Sequence, residues 1–362
     1  MAADQAPRVV LVTGVSRHLG AQAAARLAAD PRIDRVIGVD QRAPSPELAT
    51  VLADTVEFIL ADLTGPQLAS LLARHEVETL VHLAMVTSTP EHGGRSAMKE
   101  QNVIGTMQLL AAAQQAPALQ SVVVRSSSAA YGRSFRDPAV FTEETTPRDL
   151  PRGGFARDVL DIEGAVRGFR RRRPDVDATV LRFAPFIGRR ADTSLTRYFS
   201  LPVVPTVLGR DPRLQFVHID DAMEILYRSV VEQHPGTYNV AGAGTITLSQ
   251  AVRRAGRIGL PVLENGLSFT AQFAKRLGAL GITFDQLDLF VHGRVMDINK
   301  LVKEYRYEPR STAVAFDDFL RGMRGSRLLR REAIEAGEAL LLEQLRSARA
   351  RLTARGDGEV GD

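Results

Sequence analysis

Short apolar runs recur along the first half of the chain, each bounded by polar or turn-forming residues. Residues 8–13 (RVVLVT), 35–39 (ending against Asp40), 56–60, 79–83, 121–124 and 178–181 are rich in β-branched side chains. They are too continuous to have one wet face, so they predict strands buried on both sides. Between them the spacing becomes helical, over 21–29, 67–74 and 98–114 and in the segment that carries 155–163. Strands alternating with helices predict parallel βαβ units with right-handed crossovers, and so a doubly wound parallel α/β sheet.

After Gly188 the rhythm breaks. Residues 189–214 mix Pro202, Pro205 and Pro212 with short apolar runs, and 216–219 and 237–240 read as further strands. Residues 247–256 and 267–277 read as helices. An extra amphipathic helix is expected over 324–355, where Leu328, Leu329, Ile334, Leu341, Leu345 and Leu352 fall roughly on one side. It docks on the body or serves a subunit contact. No repeat with a period of 20 to 50 residues is present.

Composition narrows the function classes. The 362 residues are 44% hydrophobic and 24% charged, as in ordinary globular proteins. No apolar stretch reaches the roughly 18 residues of a membrane span, and residues 1–7 lack the apolar block of a secretory signal. With no cysteine, disulfides, thiolate zinc sites and cysteine nucleophiles are excluded, which suits a cytoplasmic protein. Only four of 46 basic residues are lysines, Lys99, Lys275, Lys300 and Lys303, and the net charge is +4. That small, scattered excess argues against a nucleic-acid partner. The run Arg170 to Arg173 reads as the solvated end of a helix, where cations also suit the helix dipole.

The first turn reads Thr13-Gly14-Val15-Ser16-Arg17-His18-Leu19-Gly20 and lies between a strand and a helix. Gly14 permits a tight turn and Gly20 permits close helix packing. The N–H groups of Arg17, His18 and Leu19 then open a helix whose positive end suits a pyrophosphate. Asp40 follows Gly20 by 20 residues at the end of the second strand. A carboxylate there accepts from adenosine ribose hydroxyls and repels a 2′-phosphate, which favours NAD over NADP. Arg42 pulls the other way. Without a dinucleotide, Asp40 would be a turn or cap aspartate.

Further blocks follow in order: Asp62-Leu63, His82-Leu83-Ala84, Asn102-Val103-Ile104-Gly105-Thr106, the stretch from Ser126 and Ser127 to Tyr131-Gly132, LRFAPFIG (181–188), FVHIDDA (216–222) and YNVAG (238–242). With them the chain resembles, over roughly residues 8–320, the extended short-chain dehydrogenases/reductases of the NAD-dependent epimerase/dehydratase family, UDP-glucose 4-epimerase-like proteins in particular. The resemblance implies a Rossmann-type NAD-binding domain over 8–188, with 215–242 returning to it. It implies a smaller C-terminal substrate lobe over 189–214 and 243–323. Asp62 and Leu63 would lie at the adenine, and Leu83, Ala84, Asn102 and Ser126 along the cofactor. Arg17 stands where the family has its middle glycine. It either narrows the turn or folds its guanidinium over the pyrophosphate as a charge clamp.

The family chemistry is hydride transfer at a sugar carbon. It needs a tyrosine acid/base with a lysine four residues on, neighbours on one helix face. Here those positions hold Phe155 and Val159, while Ser127 keeps the family's serine place four residues before Tyr131. None of the six tyrosines is followed four residues later by lysine. Losing one positioned acid/base costs about 10²- to 10⁴-fold in rate. Tyr131 is a substitute candidate or a buried structural tyrosine. Asp158, three residues after Phe155, is expected to cap or face solvent. His82 and His218 read as hydrogen-bonded core histidines rather than proton shuttles, and Asn102 supports a relay or bonds backbone. Specificity is expected from residues 85–97, with Thr87, Ser88, Thr89 and Arg95, and from Arg189, Arg190, Arg197, Arg210 and Arg213, which suit a nucleotide diphosphate. No metal constellation and no GxSxG elbow is present. The expectation is an NAD-binding protein taking a small-molecule substrate, a nucleotide-sugar, either as an enzyme with rerouted chemistry or as a non-catalytic sensor or scaffold. A homodimer is expected through the helices that include the one bearing Phe155.

Overall fold

A computed structural model describes residues 6–87, 93–132, 134, 136–151, 154–262 and 289–323. The helices expected over 267–277 and 324–355, with Ser88 and Thr89, lie outside them. The central sheet contains β1 (Val9–Thr13), β2 (Arg35–Asp40), β3 (Glu57–Leu60), β4 (Thr79–His82), β5 (Ser121–Ser127) and β6 (Asp177–Phe183), joined by the returning strand Gly236–Val240. From one edge to the other the order is β3, β2, β1, β4, β5, β6, then Gly236–Val240. Every neighbour pair is parallel. This is the Rossmann-type doubly wound sheet the alternating pattern predicts.

Alternation along each strand splits the core in two. Val10, Val12 and Val123 face α1 (His18–Ala28) and the helix Ile219–Val231 through Leu19, Leu27, Ile225 and Leu226. Leu11, Val122 and Val124 face α3 (Gln67–Arg74), α5 (Gly105–Gln114) and α6 (Gly154–Arg172). Each buried Leu or Val contributes roughly 1.5–3 kcal/mol, so both faces of the inner strands need cover. On the outer side of β2 a short α2 (Pro46–Leu52), which the apolar pattern does not announce, starts from a Ser45 cap.

Several boundaries differ from the pattern. The helix expected over 98–114 begins as α4 (Arg95–Lys99) and passes through a π-helical turn, Glu100–Ile104, into α5. β5 runs on to Ser127 because β6 pairs with it as far as Phe183. Of the strand expected at 216–219, only Val217–His218 pairs, with Phe186–Ile187. Ile219 instead opens a helix, capped by the His218 side chain.

The arginine run closing α6 is only partly solvated. Arg171 and Arg172 are exposed. Arg170 donates to the carbonyls of Ala178 and Gly236, across the sheet edge. Arg173 donates to the carbonyls of Gln114 and Ala116 at the C-terminus of α5, where helix carbonyls lack internal partners.

The lobe has its own core around Tyr198, Phe199, Phe216, Phe290 and Phe316, with Tyr198 and Phe290 stacked at 4.0 Å. Its helices Ser194–Ser200 and Leu248–Arg254 start at capping boxes from Thr193 and Thr247. Met296, Leu301 and Tyr305 pack into the sheet's core rather than the lobe's, so the chain returns to the sheet once more beyond Val240.

Candidate functional site

The carboxyl ends of β1, β2, β4 and β5 gather most of the residues singled out above. In the β1–α1 turn Gly14 has φ +82°, and a Cβ there would stand 2.8 Å from the backbone of Ala84. A Cβ on Gly20 would stand 2.1 Å from the Gly14 carbonyl oxygen. Only glycines let α1 begin this close beneath the turn. Arg17 is the residue before α1, with extended backbone and no side-chain cap, so the first N–H groups of the helix, from His18 and Leu19, point out of the edge of the sheet.

Asp40 ends β2 buried, accepting from the Ser16 N–H at 3.0 Å and the Gln41 N–H at 2.8 Å. The Ser16 hydroxyl donates to the Arg42 carbonyl, which draws this corner together. Asp62 is exposed and accepts from Thr64 N–H at 2.9 Å, while Leu63 beside it is buried. Leu83 and Ala84 are buried against the turn, the Leu83 N–H reaching Thr13 Oγ1 at 3.2 Å. An extended dinucleotide fits this arrangement: a crowded glycine turn, an open helix end and a carboxylate at the tip of the next strand.

His82 sits beneath. Its Nδ1 is 2.8 Å from Thr13 Oγ1 and its Nε2 is 2.8 Å from Thr106 Oγ1. Thr13 Oγ1 also accepts from the Leu83 N–H and can still donate its hydroxyl hydrogen to Nδ1. Thr106 donates to the Asn102 carbonyl at 2.5 Å, so it accepts from Nε2–H. That places a hydrogen on Nε2 and leaves Nδ1 as the acceptor of the neutral ring. Burial, helped by the charge of Arg125, pushes its pKa down to about 4. Asn102, brought inward by the π-helical turn, clamps Val86 through its N–H at 2.7 Å and its carbonyl at 2.9 Å.

Phe155 and Val159 are buried on the inner face of α6. Asp158 departs from expectation. It is fully buried and bidentate to Arg95, at 2.7 and 2.6 Å, with Asn102 Nδ2 3.4 Å away. The start of α6 packs against α4, which leaves no solvent for it to face. Tyr131 is also enclosed. Its hydroxyl donates to Asn239 at 2.5 Å and accepts from Arg182 at 3.0 Å, and burial raises its pKa. The same Arg182 chelates Glu163 at 2.9 and 2.7 Å, and Glu163 accepts from Ser126 at 2.6 Å. Ser127 Oγ accepts from the Ala129 N–H at 3.2 Å and remains half-buried at the end of β5.

In the lobe, Arg189, Arg190 and Arg197 pair with Asp318, Asp220 and Asp192 in exposed ion pairs. Arg213 does line a cleft of about 190 Å³ with Ser134, Asp137, His292 and Arg294. His218 accepts at Nδ1 from Asp220 N–H and Arg310 and lies 3.1 Å from Asp318 through Nε2. Burial pushes the Asp318 carboxyl up, but hydrogen bonds from His218 and Arg189 outweigh it and hold the group well below the carboxylate range. Asp221 grips Tyr307 and Arg310, tying the segment that leads into the lobe's last described helix to the helix Ile219–Val231.

The motif reading missed Arg125, Glu163 with Arg182, and the pairing of Arg95. A charge interrupting the apolar run of β5 was the signal for the first. The other two pairings join residues 19 and 63 positions apart, which no local pattern reveals.

Fold and turn together define a nucleotide-binding α/β protein of the Rossmann class with a second lobe. A model of the NAD-dependent epimerase/dehydratase family matches residues 10–241, and the chain belongs to that family. An uncharacterized protein of Mycobacterium tuberculosis, Rv0501, is 44% identical over 319 residues, covering 88% of this chain and 85% of its own. The UDP-glucose 4-epimerase of Mycolicibacterium smegmatis is 28% identical over 268 residues, 69% of this chain and 83% of its own. Among solved structures, the Bacillus cereus UDP-glucuronic acid 4-epimerase, crystallised with UDP-glucuronic acid and NAD, superposes with a TM-score of 0.67 at 16% identity, over 87% of this chain and 98% of its own. Among the described residues no helix is long and apolar enough to cross a membrane, and no acidic, histidine or cysteine group is arranged for a metal.

Proposed function

We propose that the chain binds NAD along the carboxyl edge of the sheet, and a nucleotide-linked sugar in the cleft between sheet and lobe. The adenosine ribose would rest on Asp40, with Asp62 and Leu63 at the adenine. The pyrophosphate would lie over Gly14 to Gly20, and the nicotinamide end would reach Ser127. The observation that carries this reading is the β1–α1 turn, whose two glycines have no room for a Cβ and whose Ser16 N–H is held by the Asp40 carboxylate at the tip of the next strand. When bound, NAD supplies a hydride acceptor. Ser127 orients the reacting hydroxyl, and Arg213 and Arg294 meet the diphosphate of the second ligand. We place the protein in the cytoplasm as a homodimer pairing through α5 and α6. The apolar Ile104 and Met107, exposed on that flank, support this.

The proton step is different. Phe155 and Val159 stand where the family has its tyrosine and lysine, and neither carries a proton. The alternatives are occupied: Tyr131 by Asn239, His82 by two threonines, Asp158 by Arg95. These observations favour a protein that holds NAD and a nucleotide-sugar without family turnover, and acts as a sensor or scaffold. Calorimetry with NAD and UDP-glucose, followed by NADH absorbance, tests both halves. Wild type is expected to bind NAD and to form NADH only at a background rate. Phe155→Tyr with Val159→Lys is expected to gain at least about 10²-fold over it. Fast wild-type turnover would refute the sensor reading.

A further inference from the structure

Arg125 is the one charged residue among the four that precede the serines in β5 (VVVR), and it shares the face of Val123 and Ser127 by strand alternation. Its partner across the ladder is Leu181. The guanidinium lies 5.2 Å over the ring of Phe186. Among the described residues it makes no ion pair and donates no hydrogen bond. The site's acids have other partners, Glu163 with Arg182 and Ser126, and Asp40 with the Ser16 and Gln41 N–H groups. Burial, then the positive charge of Arg17, pushes its pKa down to about 10, so it stays charged at neutral pH. A recessed cation that meets another cation and no anion is costly, and such groups are normally paired.

The sheet order says what completes it. Arg17 stands over the end of β1 and Arg125 on β5, with β4 between them. Two strand spacings are about 10 Å, which two arginine side chains can close on one diphosphate. We infer that Arg17 and Arg125 are the two jaws of a clamp on the dinucleotide pyrophosphate. Arginine in place of glycine at position 17 gives up the closest backbone approach, and guanidinium contacts from both sides replace it. The inference rests on the NAD reading above and adds a residue to it.

The test is calorimetry of NAD, ADP-ribose and adenosine with wild type, Arg125→Met and Arg17→Ala. Charge-assisted contacts of this kind are worth about 10- to 100-fold in affinity. Each variant is expected to lose that much for NAD and equally for ADP-ribose, which keeps the diphosphate and lacks nicotinamide, and nothing for adenosine. The double variant should lose less than the product of the singles, because both act on one diphosphate. Ligand-free Arg125→Met should melt no lower than wild type, since it removes an uncompensated charge. Should it fail to fold, Arg17→Ala and Arg125→Lys carry the same comparison. Loss for NAD but not ADP-ribose would assign Arg125 to the nicotinamide end and overturn the clamp. So would unchanged affinity, with NAD binding intact. A wild type that binds neither NAD nor ADP-ribose overturns the clamp and the dinucleotide reading together.

Discussion

His82 fixes the turn from below and makes stability depend on pH. In the unfolded chain its pKa is 6.5, and in the fold burial lowers it to about 4. The unfolded state therefore binds the extra proton first. The contribution is complete above pH 6.5 and is lost as pH falls toward 4, by on the order of 3 kcal/mol. Urea unfolding at pH 7, 5.5 and 4 should show this loss in wild type and a flatter profile in His82→Gln. Parallel profiles would show that the ring does not titrate as argued. Glu163 makes the opposite kind of case. It is a buried carboxylate whose charge is met by Arg182 and the Ser126 hydroxyl. Arg182→Met would leave that carboxylate without its cation and also take a donor from Tyr131. A loss of about 3 kcal/mol is expected in chemical denaturation. Glu163→Gln combined with Arg182→Met should recover part of it, because no uncompensated charge then remains.

Among elements, the β1–α1 unit is held most tightly by its sequence. Gly20→Ala sets a methyl 2.1 Å from the Gly14 carbonyl oxygen, which only a shift of α1 can relieve. The expected cost is at least about 2 kcal/mol, with loss of NAD-induced thermal stabilisation. A Gly20→Ala protein with normal melting and normal NAD response would show that α1 does not approach the turn so closely. The strands of this unit were readable because their apolar runs are continuous, and the turn because its glycines have fixed spacing. Legibility ended where long-range contact decides the outcome. Ile219 follows a strand-like run, yet the His218 side chain caps a helix there and the run ends. The π-helical turn at Glu100–Ile104 keeps a helical pattern, and nothing in that pattern marks the extra residue that turns Asn102 inward. Asp158 looked like a surface residue because its partner, Arg95, lies 63 positions away. Of the lobe arginines, composition gave the count but not the allocation. Three pair with Asp318, Asp220 and Asp192 at the surface, and Arg213 lines the cleft.

At the scale of the whole molecule, one sheet carries both proposed ligands because the chain leaves it for the lobe after β6 and comes back. The strand Gly236–Val240 adds to the edge beside β6, and Met296, Leu301 and Tyr305 then pack into the same core. The lobe is thereby tied to the sheet twice, by Gly236–Val240 and again by Met296, Leu301 and Tyr305. On the flank of α5 and α6, apolar side chains reach the surface among the described residues. Met107 and Ile104 are 51% and 42% exposed there, while Arg157 and Asp161 pair one turn apart on α6. Isologous pairing of this flank on a two-fold axis would bury each apolar side chain twice, once per protomer. A charge introduced at its centre would therefore be met by its own copy. Met107→Glu is expected to convert a dimer to a monomer in light scattering, with NAD affinity retained, since the Met107 side chain is exposed while its neighbour Thr106 is the one that turns inward to His82. A wild type that is monomeric at all concentrations, or a Met107→Glu dimer, would remove α5 from the interface.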